Sequence, residues 1–157
     1  HFYDARGSEL FEEITRLPEY YQTRAELRIL RREARRIVAR HGVDELVELG
    51  AGAARKTAAL IDAIRAGGAP GRYVPFDVCP EALLAAAGRL AEAYPGLAVH
   101  GVAGDFERHL AAIPPRRGER RLVAFLGGTI GNLEPRARTP FLREVAALLR
   151  PGDLLLV

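Results

Sequence analysis

The residues best suited to chemistry begin with Gly50 and Gly52, at a point where a predicted strand passes into a predicted helix. Glycines at such a turn let the backbone approach a ligand closely, and the helix that follows offers N–H groups without intrahelical partners. Two classes of nucleotide cofactor use this arrangement. A dinucleotide fold needs a third glycine where this chain has Arg55, which argues against NAD. A tight turn without any ligand is the alternative at this stage.

Acidic residues follow the next two predicted strands. Asp77 ends the second strand, where α/β nucleotide sites bind the ribose hydroxyls, although a helix cap before Pro80 is an alternative role. Asp105 and Phe106 follow the third strand. There a carboxylate can accept a hydrogen bond from an adenine amino group while a ring or backbone amide lies against the base. A simple helix start is the alternative for this pair.

A glycine-rich segment, residues 127–132, follows the fourth predicted strand. Ligands of open α/β sheets bind at the carboxyl edge of the strands, which is where this segment falls. Asn132 at its end can both donate and accept hydrogen bonds, as holding a substrate amine would require. An asparagine among glycines also forms turns readily, so a purely local role stays open.

These residues need a scaffold, and the sequence predicts an α/β fold with a mostly parallel sheet covered by helices on both faces. From residue 45 onward, short apolar runs alternate with amphipathic helical stretches, which is the pattern of that fold class. The predicted strands cover 45–49, 72–76, 97–102, 121–126 and 153–157. The predicted helices between them cover 53–66, 80–93 and 140–149.

A helical layer is predicted ahead of this unit. Thr23 and Glu26 have the spacing of a capping box, and Gly42 marks the end of the helix that they would begin. A shorter helix is predicted around residues 8–16. An apolar stripe on the longer helix needs a partner surface, and it comprises Leu27, Leu30, Ala34, Ile37 and Val38. We therefore expect a helical layer over 1–42 packed on a nucleotide-binding domain over 43–157.

Composition narrows the function classes. With 157 residues and 48% hydrophobic composition the chain can form one folded domain, and no apolar run approaches the roughly 20 residues of a membrane span. Cys79 is the single cysteine, which favours a reducing compartment, the cytoplasm, and gives no sign of a metal site. A net charge of +3 without dense basic clusters does not favour nucleic acid. Lys56 is the single lysine among 23 basic residues. The chain starts at His1 and stops after an apolar run, as a piece of a longer protein would.

Six segments, in this order, carry a family resemblance. They are FYDARGSELFEEITRLPEYYQTRAE, ELGAGAARKT, YVPFDV, GDFERHL, FLGGTIGNLEP and LRPGDLLLV. Together they resemble the histidine-specific methyltransferases, class I (Rossmann-like) enzymes that use S-adenosylmethionine to trimethylate the α-amine of histidine. The product is hercynine, on the route to ergothioneine. The EYYQTRAE and GGTIGN segments are much more specific than the generic glycine turn.

The resemblance implies roles for individual residues. The cofactor contacts would be Gly50, Gly52, Lys56, Asp77, Asp105 and Phe106. Tyr20 and Asn132 would hold the histidine substrate. Ala53, Ala54 and Gly128 depart from the residues common in relatives. The family also has a downstream part, with a tyrosine, a glutamate and a serine that recognise the substrate, and this chain ends before it.

The resemblance implies in-line displacement, in which a neutral amine attacks the methyl carbon of a sulfonium. Such a reaction needs neither a metal nor a covalent intermediate, and the residues identify no general base. Alternative interpretations are a methyltransferase for another amino acid, a small amine or RNA, and a non-catalytic nucleotide-binding regulatory domain.

Overall fold

The computed structural model describes Gly7, Leu10 and residues 13–52, 54, 56–68 and 71–157. Of the predicted helix around residues 8–16, Leu10, Glu13 and Ile14 are helical, and the rest lies largely outside the described residues. Arg55, which argued against NAD, also lies outside them. Among the described residues, no helix combines the length and apolar character that a membrane crossing requires.

The sheet is parallel throughout and has the strand order β3-β2-β1-β5-β6, with β4 also pairing with β2. In chain order the strands are β1 (Glu45–Leu49), β2 (Arg72–Asp77), β3 (Ala98–Val99), β4 (Val102–Ala103), β5 (Arg121–Ala124) and β6 (Leu154–Leu156). The helices are α1 (Gln22–His41), α2 (Thr57–Ala66), α3 (Pro80–Ala93) and α4 (Pro135–Ala147). Two short 3-10 helices cover Leu110–Ala112 and Thr129–Asn132. The predicted α/β class is confirmed.

Side chains alternate along each strand, so the buried strands present apolar side chains on both faces of the sheet, and helices cover both faces. Leu46 faces a core formed with α1, α2 and α3, whereas Val47 faces a second core formed with α4 and the first 3-10 helix. Leu30, Ala34 and Val38 of the predicted α1 stripe are buried in the first core. The division of the chain at residue 42 stays a prediction.

The predicted third strand, 97–102, is interrupted, and Pro75 supplies the reason. The Tyr73 and Asp77 carbonyls accept hydrogen bonds from His100 N–H and Gly104 N–H, on the side of β2 that faces β3 and β4. Alternate residues of a strand face the same neighbour, so Pro75 also faces that side and has no N–H to donate. The pairing therefore resumes only beyond it, and one predicted strand becomes β3 and β4.

Two predicted helix starts are wrong. The helix expected from residue 53 begins at Thr57, because the turn continues through Ala54, which has a φ of 52°. The helix expected from residue 140 begins at Pro135. Proline is tolerated there because the N–H groups of the first helical turn have no partner within the helix, so none is lost when the N–H is absent.

The capping box predicted at Thr23 and Glu26 is also wrong. Tyr21 is the N-cap of α1, and no side chain caps the helix. Glu26 instead reaches residues that are distant in sequence. The predicted end of this helix is confirmed, because Gly42 adopts the left-handed conformation with a φ of 64° and donates its N–H to the Val38 carbonyl.

Candidate active site

The carboxyl ends of β1 and β5 lie side by side at the point where the strand order reverses. The chain leaves β1 toward β2 on one side, and β5 is followed by β6 on the other. In open α/β sheets, the crevice at this reversal is where ligands bind. The glycine turn follows β1 and the 127–132 segment follows β5, so the fold brings these two predicted parts of the site to neighbouring strand ends.

The glycine turn is shaped by backbone that favours glycine. Gly50 and Gly52 have φ values of 73° and 48°. The N–H groups of Gly50 and Ala51 both donate to the Phe76 carbonyl, at 2.8 and 3.1 Å, which ties the turn to the end of β2. A Cβ atom built at either glycine would meet no heavy atom within 4 Å. The turn therefore presents open backbone that a bound nucleotide can approach.

Asp77 is held beside this turn. Its Oδ2 accepts a hydrogen bond from Gly52 N–H at 2.8 Å, and its Oδ1 accepts one from Cys79 N–H at 3.0 Å. Cys79, not Asp77, is the N-cap of α3, and the helix has no side-chain capping hydrogen bond, so Asp77 is not the helix cap of its alternative interpretation. Each carboxylate oxygen has a second lone pair. The half-buried carboxylate can therefore hold the turn and still accept from a pair of hydroxyls.

Asp105 follows β4, the strand that pairs with the end of β2. Its Oδ1 accepts from Glu107 N–H at 2.8 Å, and its own N–H donates to His109 Nδ1 at 3.0 Å. The Phe106 ring packs edge-on against Phe125 and Phe141, with ring centroids 5.5 and 5.7 Å away. Phe106 thus anchors this loop in the core on the α4 face of the sheet.

Lys56 precedes α2, and its ammonium is paired with Glu26 of α1. The distance from Lys56 Nζ to Glu26 Oε2 is 2.5 Å. Glu26 Oε1 accepts a hydrogen bond from Gly127 N–H at 2.7 Å. One carboxylate therefore connects α1, the start of α2 and the loop that follows β5.

Glu48 is a buried acid in β1, two residues before the glycine turn. Its Oε2 accepts hydrogen bonds from Tyr73 Oη at 2.6 Å and from Thr57 Oγ1. Burial raises the pKa of the Glu48 carboxyl from an ordinary 4.5 to about 7, against the opposing effect of both hydrogen bonds and of the nearby Lys56 charge. The same burial, with Glu48 alongside, raises the pKa of Tyr73 well above its ordinary value.

The two predicted substrate contacts occupy separate segments. Asn132 is exposed at the end of the second 3-10 helix, and Tyr20 is half-buried just ahead of α1. The structure thus brings Gly52 and Asp77 together, and it brings Lys56 to the loop that carries Asn132.

Charged residues at the opposite, amino edge of the sheet mainly neutralise one another. Arg121 and Arg72 bind the fully buried Glu45 carboxylate, and Arg116 binds Asp153. A concavity of about 240 Å³ beside Arg116 and Arg121 lies at this edge. Because both guanidinium groups are already paired, we interpret this cluster as structural. In the part of the chain that the structure describes, no group of His, Cys, Asp and Glu side chains is arranged to hold a metal ion.

Sequence reasoning missed the roles of Glu26 and Glu48. Glu26 was assigned to a local cap, although its partners are 30 and 101 residues away. For Glu48 the available signal was a charged residue with an apolar residue on either side in a buried strand, because such a residue needs polar partners within the fold.

The strand order, the glycine turn and the acid at the end of β2 define the fold of a class I methyltransferase. A solved structure of an S-adenosylmethionine-dependent methyltransferase from Clostridium acetobutylicum ATCC 824 matches 94% of this chain and 55% of that chain, with a TM-score of 0.65 at 14% identity. A family model described as "Histidine-specific methyltransferase, SAM-dependent" matches residues 1–157. The chain belongs to this family, and S-adenosylmethionine, not NAD, is the family's cofactor.

Two relatives illustrate the similarity. The chain is 52% identical over 156 residues to the histidine N-alpha-methyltransferase of Mycobacterium tuberculosis (strain CDC 1551 / Oshkosh), covering 99% of this chain and 48% of the relative. It is 34% identical over 164 residues to ergothioneine biosynthesis protein 1 of Schizosaccharomyces pombe (strain 972 / ATCC 24843), covering 99% of this chain and 21% of that relative. The chain thus spans about half the length of the first relative and less of the second.

Proposed function

We propose that the intact gene product is an S-adenosylmethionine-dependent N-methyltransferase that converts L-histidine to hercynine by trimethylating its α-amine. The observation that carries this proposal is the juxtaposition of the glycine turn after β1 and the Asn132 segment after β5, at the reversal of the strand order. A methyl donor on the turn and an amine held near Asn132 would meet across two neighbouring strands. The names of the two relatives support histidine as the substrate and ergothioneine as the pathway.

The described residues fit the proposed cofactor. The open backbone of Gly50 and Gly52 would accommodate the nucleoside, with Asp77 accepting from the ribose hydroxyls and Asp105 from the adenine amino group. Lys56 and the backbone beside Phe106 would complete the contacts. S-adenosylmethionine supplies a methyl group on a positively charged sulfur, which becomes a neutral thioether once the methyl group is transferred.

The contribution of the protein is alignment. Asn132 would accept a hydrogen bond from the substrate amine and thereby direct the nitrogen lone pair toward the methyl carbon, with Tyr20 as the second contact. In each transfer the new N–C bond would form as the C–S bond breaks. After the first and second transfers the ammonium would release a proton to solvent, and the third would leave the quaternary ammonium of hercynine. Holding reacting atoms about 3–3.5 Å apart in line accounts for much of the rate of such a reaction. Recognition of the imidazole is expected from residues outside this chain.

The direct test is mass spectrometry of the intact gene product incubated with L-histidine and S-adenosylmethionine. We expect products with one, two and three added methyl groups, and no product from N-acetylhistidine, whose α-amine is blocked. Methylation of another amine or of RNA, but not of histidine, would leave the cofactor assignment and refute the substrate. Absence of calorimetric cofactor binding by a folded sample would support a non-catalytic domain.

Asn132→Ala separates the substrate role from the cofactor role. We expect histidine turnover to fall while the affinity for S-adenosylmethionine stays within about twofold, because Asn132 is exposed and follows β5, not the cofactor turn. Isothermal titration calorimetry and steady-state kinetics on the same preparation measure both quantities. Equal losses of both would assign Asn132 to the cofactor instead. The cytoplasmic location and the lack of a nucleic-acid partner stay predictions.

A further inference from the structure

We propose that Glu26 is a positioning residue that fixes the two proposed histidine contacts relative to the cofactor, an inference that rests on the proposed function. Glu26 lies in the first turns of α1, which begins just after Tyr20. Its carboxylate holds both Lys56 and the loop that leads to Asn132. Through these contacts, α1 would set the distance between the substrate side and the cofactor side of the cleft.

The geometry of Glu26 is that of a bridge between distant segments. Oε1 accepts from Gly127 N–H at 2.7 Å and Oε2 accepts from Lys56 Nζ at 2.5 Å, so each oxygen serves a different segment. Gly127 itself has a φ of 82°, and a Cβ atom there would lie only 3.1 Å from Lys56 Nζ. The ammonium therefore packs directly against the backbone of the loop. Any residue other than glycine at position 127 would push the Lys56 ammonium away from the loop.

The environment makes this contact stronger than an ordinary surface pair. The Glu26 and Lys56 side chains are 26% and 21% exposed. Glu33, two turns further along α1, is similarly exposed at 23%, but its partners Arg32 and Arg36 are 75% and 76% exposed, so the contrast with Lys56 lies in the cation. Partial removal from water strengthens the attraction between opposite charges, whereas exposed pairs contribute little.

The loop beyond Gly127 passes this constraint on to Asn132. Thr129 Oγ1 donates to the Leu126 carbonyl at 3.2 Å, and Gly131 N–H donates to the Gly128 carbonyl at 2.9 Å. These bonds close the short 3-10 helix that ends at Asn132. A compact segment of this kind moves as a unit, so the point at which Gly127 is tied down determines where the Asn132 amide lies.

The test uses the intact gene product with Glu26→Gln and the matched control Glu33→Gln, whose carboxylate pairs with exposed arginines of its own helix. Glutamine keeps the size of the side chain but loses the charge that binds Lys56. We expect Glu26→Gln to lower kcat/KM for histidine by about tenfold to a hundredfold at 25 °C, the range expected when reacting groups are displaced by a fraction of an ångström to one ångström. Glu33→Gln should retain wild-type kinetics, and both variants should unfold within a few degrees of the wild type.

A double-mutant cycle shows whether Glu26 acts through the loop that carries Asn132. In an Asn132→Ala background, Glu26→Gln should lower the residual kcat/KM by less than threefold, because the group that it positions is already absent. If Glu26→Gln lowered kcat/KM by the same factor in both backgrounds, the inference would be overturned. Wild-type kinetics of Glu26→Gln, or a change in its Tm alone, would also overturn it. A wild-type protein that binds S-adenosylmethionine but does not methylate histidine would refute the proposed function and this inference together. A histidine-methylating wild type with an unaffected Glu26→Gln variant would refute the inference alone.

Discussion

Replacing Glu48 by glutamine should change how the stability of the protein depends on pH. Glu48 is only 3% exposed, and the hydroxyl groups of Tyr73 and Thr57 donate to the same oxygen, Oε2. Glutamine can present its carbonyl oxygen to both donors and remains neutral at every pH. The substitution therefore removes the ionisable proton of this buried cluster while leaving its hydrogen bonds able to form.

The expected magnitude follows from the raised pKa of Glu48. Burial raises the pKa from 4.5 to about 7 in the folded protein, so the folded state binds the proton more tightly than the unfolded state does. The contribution of this tighter proton binding to the free energy of unfolding is fully present below pH 4.5, and it is lost as the pH rises through 7. At 1.36 kcal/mol per pKa unit, the wild type should lose about 2 to 3 kcal/mol between pH 5 and pH 8 through this group alone. The glutamine variant should not.

Urea unfolding of the intact gene product, followed by circular dichroism from pH 5 to pH 8, measures this difference. We expect the free energy of unfolding of Glu48→Gln, minus that of the wild type, to grow by about 2 to 3 kcal/mol over the range. The corresponding difference for Glu33→Gln should stay flat, because the arginine neighbours of Glu33 hold its pKa below 4.5. A flat difference for Glu48→Gln would show that Glu48 ionises normally and that our account of its burial is wrong.

Three further outcomes follow from the site and the core. Asp77→Ala should weaken S-adenosylmethionine binding by about 1–3 kcal/mol in calorimetry, and an unchanged affinity would reject its ribose role. Gly104→Ala should destabilise the fold by about 1–3 kcal/mol in urea unfolding, because a Cβ atom at this position would lie 2.9 Å from the Phe76 ring. Gly88→Ala is the control: Gly88 lies in a helix with open space around it, so this substitution should not destabilise the fold. Glu45→Gln should cost about 3–5 kcal/mol by the same measurement, since it removes the buried negative charge shared by two arginines, and a loss below about 1 kcal/mol would contradict this.

Local sequence patterns predicted the sheet well because its strands are buried and parallel. Such strands appear as short apolar runs, and β1 and β5 begin at the predicted residues 45 and 121. Once the strand ends are known, the carboxyl edge is known too. That is why the glycine turn and Asp77, which share a hydrogen bond, could be assigned to one site from sequence alone.

Two of the errors, the interrupted third strand and the capping box, arose where a distant contact determines the local structure. Pro75 could be seen in the sequence, but its effect on β3 and β4 depends on which side of β2 it faces. Glu26 has the spacing of a capping residue, yet its partners become close only after α1 packs on α2. A pattern confined to a few residues contains no information on either point. The resemblance of the whole EYYQTRAE segment to a family marked the importance of the segment without explaining the role of Glu26.

The two edges of the sheet use their charges differently, and this difference supports our proposal that the nucleoside binds at the carboxyl edge. At the amino edge, Glu45 is enclosed by guanidinium groups, so the ions there satisfy one another and fix the ends of three strands. At the carboxyl edge, the Asp77 and Asp105 carboxylates accept hydrogen bonds from backbone N–H groups. Backbone donors orient a carboxylate without neutralising it. Each of these acids therefore keeps spare lone pairs directed by the fold, as our proposal that they bind the hydroxyls and amino group of a nucleoside requires.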